Sequence, residues 1–522
     1  MSIKSYILDV YAMSVEEKIS AISFQGIVNR DAPNVFYRSR FWNWPEADEK
    51  WVEWFQEAKG VEFAQLENLP QLVEKFRDRI KGCVVWDPRL GQTKWIAATM
   101  AGVYDLLPIA PECIGRYGDL PIVEDLRGRW SKNMEAAKWS IDNLIEKTNT
   151  DIAYSVEHCW SGCTVDSIDY VVGERGFIYS LRHGRRREGE GDWQEECSLA
   201  HRIHSKIGPN APIFGWGEPE EDYCRLISHH NNFIMCSEAP NLSYFARIPC
   251  RRTDWTQKAR RAPSSFVLED KHYITFDTSE GDSPKMHVAI QGGAWFDSNR
   301  GGIPINWGAN PICLKYFPAL LEYFWDTATE NDYFVGGASG AGYVYPNLMP
   351  DPRAYFEQVR EYFAKADMHD TDAWLHFSGP VYDKYAEVSG MESFAMPCGP
   401  YGVTAVNGGS AVVFMRGNSK LNYFKADGSA EDLANAIKKH CEKRPKPSFS
   451  TTHLVPDADN PAAQGGYCPS DFVKVRELLG PEYKVVTMQE LAVLAKRALK
   501  EGKLMDALDP GYSEWDDVRK KK

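Results

Sequence analysis

The second half of this chain repeats one pattern seven times. A short β-rich run stops at polar or glycine residues and leads into an amphipathic helical stretch. The runs fall at 273–276, 303–307, 333–335, 374–377, 411–414, 448–452 and 484–486. Alternating strand and helix signals of this kind specify an α/β fold built on parallel strands. Seven units predict an irregular (β/α) barrel, with a doubly wound open sheet as the alternative. Two helices are well marked. Asp351 caps the first, Pro352 enters its opening turn, and Tyr355, Phe356, Val359, Tyr362 and Phe363 form its apolar stripe. The second runs from a cap at Ser470 to Gly480, with Pro481 beyond it.

The first half carries the same alternation less regularly. A strand at 5–11 is followed by Ser14-Val15-Glu16-Glu17, a capping box that opens a helix. On that helix Ile19, Ile22, Ser23 and Gly26 share a face whose small residues permit close packing. Strands follow at 34–37 and 83–86, the latter ending at Asp87-Pro88, and a helix is predicted over 93–103. Residues 182–191 are rich in Arg, Glu and Gly and lose periodicity, as an exposed loop does. The turn-forming cluster Gly208, Pro209, Asn210 and Pro212 marks a boundary. The expected organisation is an N-terminal α/β domain over 1–208, a C-terminal (β/α) barrel-like domain over 209–505, and a tail over 506–522. A chain of 522 residues is too long for one ordinary core, which agrees with that division.

Composition narrows the partners. A formal charge of −13 leaves no basic stripe to neutralise phosphates, so a nucleic-acid surface is not expected. The acidic balance suits a neutral substrate better than a polyanion. Twelve cysteines scattered along a large chain fit buried, reduced thiols rather than a disulfide framework. No window approaches the roughly 18 apolar residues that would span a bilayer. The opening residues carry no basic region followed by an apolar stretch, so a cytoplasmic location is expected. A removed leader would leave the same start, and secretion stays open.

Near the middle stands Gly340-Ala341-Gly342-Tyr343-Val344-Tyr345-Pro346. The glycines allow positive φ and close approach, and each tyrosine offers a flat apolar face with a polar tip, a combination suited to sugar rings. Alternate residues of an extended chain share a face, so Tyr343 and Tyr345 should point the same way. Asn347 adds an amide. The run is also the signature of the GxGYxYP family of glycoside hydrolases, which the chain resembles. Three further segments carry the resemblance: 22–30 (ISFQGIVNR), 84–88 with the helix after it, and 279–283 (SEGDS). In the last, Glu280 and Ser283 stand where the family pattern has Asp and Asn. The resemblance implies a carbohydrate substrate.

In barrels and open α/β sheets, ligands sit at the carboxyl ends of the strands. The segment after the 273–276 run is the richest such position, with Asp277, Glu280 and Asp282 in six residues. Crowded carboxylates raise the pKa of one member, and glycosidic hydrolysis needs one protonated and one charged carboxyl group. Asp282 is therefore the expected main catalytic carboxylate, with Glu280 as its neighbour or partner. Glu218 and Asp87, each after another run, are the fallback partners. Tyr343, Tyr345, Asn347 and Asp277 are expected to line the sugar site, with Trp216 or Trp307 as a stacking platform. The acids and the paired phenols should meet in one hollow.

A polar loop with helix-capping side chains would explain the same acids, and a cation held by Asp277, Glu280 and Asp282 is a third reading. An EF-hand is excluded, because Val288 occupies the position of the bidentate Glu. Otherwise no cofactor is expected. The chain has no H-E-x-x-H, no G-x-S-x-G elbow and no phosphate-binding glycine loop with its lysine. His158, Cys159 and Cys163 lie close together without a second pair at zinc spacing. Two rival functions remain: a non-catalytic glycan-binding protein, and a metal-assisted sugar deacetylase or lyase.

Overall fold

The computed structural model describes residues 2–40, 44, 46–156, 167–185, 192–235, 239–278, 283–373, 379–396, 401–416, 428–454 and 466–509. Ahead of the repeated second half lie three small parallel sheets. The first joins β1 (Ile3–Asp9), β2 (Val35–Arg38) and β3 (Val61–Gln65) in the order β2-β1-β3. The second joins β4 (Gly82–Val85), β5 (Leu106–Ile109) and β6 (Ile122–Asp125) in the order β5-β4-β6. The third joins β7 (Asn149–Ser155), β8 (Gly176–Tyr179), β9 (Pro212–Gly215) and β10 (Phe233–Met235) in the order β10-β9-β7-β8. The division expected after residue 208 falls inside this third sheet, since β9 pairs with β7. The turn-rich stretch at 208–212 links helix Trp193–His204 to β9 within that sheet's own connection, and turn residues look alike in both settings.

The remaining strands are β11 (His272–Ile274), β12 (Ile305–Ala309), β13 (Asp332–Gly336), β14 (Asp370–Asp372), β15 (Ser393–Met396), β16 (Tyr401–Val406), β17 (Ala411–Arg416), β18 (Ser448–Ser450) and β19 (Tyr483–Val485). Six of them form a sheet in the order β12-β13-β14-β15-β17-β16, parallel except for the antiparallel β16–β17 pair. The others form a parallel sheet in the order β18-β11-β19. The two sheets meet just past β11, where Asp277 bridges Asn306 of β12 in parallel sense and the Thr278 N–H donates to Asn306 O at 2.8 Å. The molecule is thus a mixed α/β protein with parallel sheets. A strand lies at Asp370–Asp372, just ahead of the one expected at 374–377, and 374–378 fall outside the described residues. Among the described residues, no helix is long and apolar enough to cross a membrane.

Local signals behave as their chemistry requires. The Ser14 hydroxyl accepts the Glu17 N–H at 3.2 Å and Glu17 Oε2 accepts the Ser14 N–H at 3.4 Å, closing the capping box of helix Val15–Val28. Asp351 Oδ1 accepts the Arg353 N–H at 3.1 Å at the start of helix Arg353–Lys365, which buries Tyr355, Phe356, Val359 and Phe363. Helix Pro469–Leu479 stops at Gly480, whose φ is 86°.

The segment 22–30 is a junction between the N-terminal sheets. Gln25 Nε2 donates to Asn241 Oδ1 at 2.6 Å, and Asn29 Nδ2 donates to Val35 O at 2.9 Å and to Ser243 Oγ at 3.0 Å. Arg30 donates to the carbonyls of Gly173 at 3.0 Å and Gly102 at 2.6 Å and pairs with Asp105. Gly26 faces helix Asp169–Gly173 so closely that a Cβ there would stand 2.1 Å from Asp169 O, and one on Gly102 would stand 2.7 Å from Val172 O. Backbones approach this closely only where side chains are absent. A buried ion pair between Lys59 and Glu322 ties helix Ala47–Lys59 to helix Pro318–Thr327 of the second half.

Gly26→Ala should therefore force the two helices apart and destabilise the protein by about 2 kcal/mol, read as a lower thermal unfolding midpoint. An unchanged midpoint would show that the helices have room to separate.

Candidate active site

Parallel strands bring the residues past their carboxyl ends to one rim. Past β11 come Thr275 and Asp277, β14 ends at Asp372, β17 ends at Arg416, and past β18 come Thr451, Thr452 and His453. These residues from four strands meet in one buried cluster. Arg416 Nη2 donates to Asp372 Oδ1 at 2.8 Å and lies 3.8 Å from Asp277 Oδ2. Arg416 Nε donates to Thr451 Oγ1 at 2.8 Å. His453 Nδ1 stands 3.3 Å from Asp372 Oδ2, so each oxygen of Asp372 faces a nitrogen.

Asp277 is held by its own strand and by the neighbouring one. The Thr275 hydroxyl donates to Asp277 Oδ2 at 2.6 Å, and the Asp277 N–H donates to Thr452 Oγ1 at 3.1 Å. Thr452 in turn donates to Thr275 O at 2.9 Å. Asp277 Oδ1 has no hydrogen-bond partner among the described residues.

The two carboxyl groups divide their ionisation. Burial is the largest influence on Asp277 and pushes it up to about 7. The Arg416 charge opposes that rise, while the Asp372 charge adds to it. Burial also pushes Asp372 upward, but the Arg416 guanidinium and His453 together outweigh it and hold Asp372 below the ordinary carboxylate value. Near neutral pH the cluster contains one carboxyl able to keep a proton and one that stays charged. Unlike charges and a shared proton in a dry site are the raw material of acid–base chemistry.

Of the expected site residues, Asp277 lies in this cluster. Asp282 and Glu280, with the cation expected between them and Asp277, fall outside the described residues. His158, Cys159 and Cys163 fall outside them too. Among the described residues no group of three or more His, Cys, Asp or Glu could hold a metal ion.

Asp87 stands in the second sheet's turn, where it pairs with Arg89 at 2.7 Å and accepts the Gly128 N–H at 2.9 Å. It braces a loop there. Trp307 is a correction: its ring is fully buried, 5.0 Å from Trp295, and its Nε1 donates to Asp332 Oδ1 at 2.8 Å. A core indole offers no platform to a sugar.

The tyrosines share a face as expected, with hydroxyls 3.3 Å apart. Tyr343 is buried and Tyr345 half-buried. Tyr343 stacks on half-buried Trp216 at 6.2 Å and 16°, and its hydroxyl donates to Glu220 Oε1 at 3.0 Å. These contacts run to the third N-terminal sheet and its helix Glu220–His229, not to Asp277, Asp372 or Arg416. The expected meeting of phenols and acids is thus not seen at Asp277, while Glu280 and Asp282 fall outside the described residues. Glu218, also half-buried, belongs to the same third-sheet region as Trp216, and Asn347 is exposed beyond the motif.

Asp372, Arg416 and His453 escaped the sequence reading. His453 is the residue immediately after the expected strand 448–452, and Arg416 lies two residues beyond the expected end of 411–414. Asp372 was hidden because Asp370-Thr371-Asp372 reads as a polar loop. Its aspartates are paired inside the fold, Asp370 with the Tyr333 and Ser393 hydroxyls at 2.6 Å each.

No curated protein matches the sequence. A crystal structure of "a putative hydrolase from Bacteroides thetaiotaomicron VPI-5482" is similar, with TM-score 0.79 and 18% identity over 95% of this chain and 96% of that one. The crystal structure of a "putative polysaccharide deacetylase from Mycobacterium smegmatis" is similar over 48% of this chain and 97% of that one, at 12% identity and TM-score 0.31, a likeness that carries no argument. Four family models match in succession. They are the "GxGYxYP_N 1st domain" at 4–78, the "GxGYxYP_N second domain" at 80–148, the "GxGYxYP third domain" at 164–247 and the "GxGYxYP putative glycoside hydrolase C-terminal domain" at 270–496. The chain belongs to the GxGYxYP family.

Proposed function

We propose that the protein hydrolyses a glycosidic bond in an oligosaccharide or glycoconjugate, using carboxyl groups at the rim of an irregular (β/α) barrel formed by β11–β19. The observation that carries this reading is the buried cluster in which one guanidinium nitrogen of Arg416 lies 2.8 Å from Asp372 and 3.8 Å from Asp277, an arrangement that drives the two carboxyl groups toward opposite ionisation. Asp277 serves as the proton donor to the leaving oxygen. Asp372 is the charged carboxylate that stabilises the developing positive charge on the sugar. Arg416 and His453 keep Asp372 ionised, and Thr275 and Thr452 fix the orientation of Asp277. Asp282 and Glu280 follow Asp277 within five residues of the chain and are the further candidate carboxyl groups. The family's glycoside hydrolase name and the general hydrolase description of the similar crystal structure support the reaction class.

Asp277→Asn and Asp372→Asn should each lower turnover by about 10²- to 10⁴-fold, measured on a substrate found by screening a broad glycan panel. If either variant keeps full turnover, that residue loses its role. Should the same loss occur only in Asp282→Asn, the chemistry belongs to the later carboxylate. Binding by calorimetry with no product after prolonged incubation would establish the glycan-binding reading instead.

The ionisation has a second consequence. A carboxyl group whose folded-state pKa is raised binds its proton more tightly in the native state, so its stability contribution is lost as pH rises from about 4 through about 7. Asp277→Asn should therefore unfold at a higher temperature than the wild type at pH 8, with the difference shrinking as pH falls and vanishing only below about pH 4. Turnover requiring protonated Asp277 should fall as pH rises past about 7. A difference between variant and wild type that stays the same from about pH 4 to about pH 8 would place the proton elsewhere than on Asp277.

A further inference from the structure

The glycine–tyrosine run that names the family lies between the acid cluster and the third N-terminal sheet. Its approach to the cluster is through backbone. The Ser339 N–H donates to Asp372 O at 2.8 Å, and the Thr371 hydroxyl lies 3.0 Å from Gly337 O and 3.1 Å from Asp372 O. Ser339 is fully buried with φ of 65°, a conformation that a serine keeps only when its surroundings impose it. The surroundings are identifiable. Ser339 Oγ donates to Val344 O at 2.6 Å, and the buried Tyr385 hydroxyl donates to Ser339 O. Tyr355 Oη lies 2.8 Å from Ser339 O and 2.7 Å from Gly342 O, so its one proton serves both.

The far end is anchored equally firmly. Tyr343 and Ile234 exchange two backbone hydrogen bonds of 2.9 Å, which adds the motif to β10 as an antiparallel bridge. The Tyr345 N–H donates to Ser228 Oγ at 2.9 Å. A Cβ on Gly340 would stand 2.2 Å from Tyr385 Oη, and one on Gly342 would stand 2.2 Å from the Phe233 ring. With φ of 122° and 106°, both positions also require glycine conformationally.

We infer that the family's signature turn is a positioning strut: braced on β10 and on the Tyr355 and Tyr385 hydroxyls, it fixes the backbone of Asp372 through Ser339, so that this carboxylate meets Arg416 and His453. Ser339, Tyr355 and Tyr385 are positioning residues that act through Asp372. The catalytic part of this inference rests on the proposed function; the mechanical part does not. Small displacements of a reacting group are costly to rate while leaving substrate affinity in place.

The test is Tyr355→Phe/Tyr385→Phe, which removes both hydroxyls from Ser339 O and keeps the rings. The single Tyr385→Phe serves if the double variant does not fold. Hydrogen exchange of the full-length protein should speed up in peptides covering 336–342 and also in those covering 369–373. On a confirmed substrate kcat should drop about ten- to a hundredfold, with KM within about twofold of wild type. Unchanged exchange over 369–373 overturns the strut, whatever the activity does. Faster exchange there, together with full turnover by Asp372→Asn, upholds the strut and overturns the catalytic reading.

Discussion

A buried guanidinium with two carboxyl groups around it organises the C-terminal half of this molecule. Arg416 reaches Asp372 and Asp277 with the same nitrogen, and the Arg416 and Asp372 side chains are 0% and 4% exposed. Removing one partner of such a buried pair leaves a charge stranded, at a cost of about 3–5 kcal/mol. The arrangement is therefore poor insurance for stability, because apolar residues of similar volume would pack at no such risk. Its chemical consequence is more specific. One positive charge does not favour two buried carboxylates equally: burial pushes Asp277 up to about 7, while Arg416 and His453 hold Asp372 below the ordinary carboxylate value.

The cluster exists because parallel strands end together. β11 and β18 are neighbours, as are β15 and β17, and the two sheets are stitched at Asp277 and Thr278. Asn306 accommodates the stitch from both sides: its N–H donates to Phe276 O at 2.8 Å, and its Oδ1 accepts the Met488 N–H at 2.8 Å. The N-terminal sheets contribute support. Lys59 with Glu322, and Tyr343 with Ile234, connect them to the C-terminal half at two separate places.

Conspicuous sequence segments turned out to be joints. The segment 22–30 owes its small and amide residues to a junction where Gly26 lies against Asp169 and Arg30 spans two carbonyls. The paired tyrosines owe their spacing to a shared face, as alternation predicted, but that face meets Trp216 and Glu220. Glycine and tyrosine suit a sugar site and an interdomain joint for the same physical reasons: close backbone approach, and a flat ring with a polar tip. Residue type alone does not separate the two.

Much was nevertheless legible in the amino acids. The capping box at Ser14, the cap at Asp351, the stop at Gly480, most of the strand positions and the family itself come from local chemistry and short-range pattern, because caps, turns and periodicity are written within a few residues of one another. Which acids come together in one buried cluster was decided only by the fold. Asp277 stood out beside Glu280 and Asp282, yet its described partners Asp372, Arg416 and His453 lie roughly 95 to 175 residues away in the chain. Burial, the force that lifts the Asp277 proton to about 7, has no signature in an eight-residue stretch. It arises when four strand ends exclude water around a single arginine.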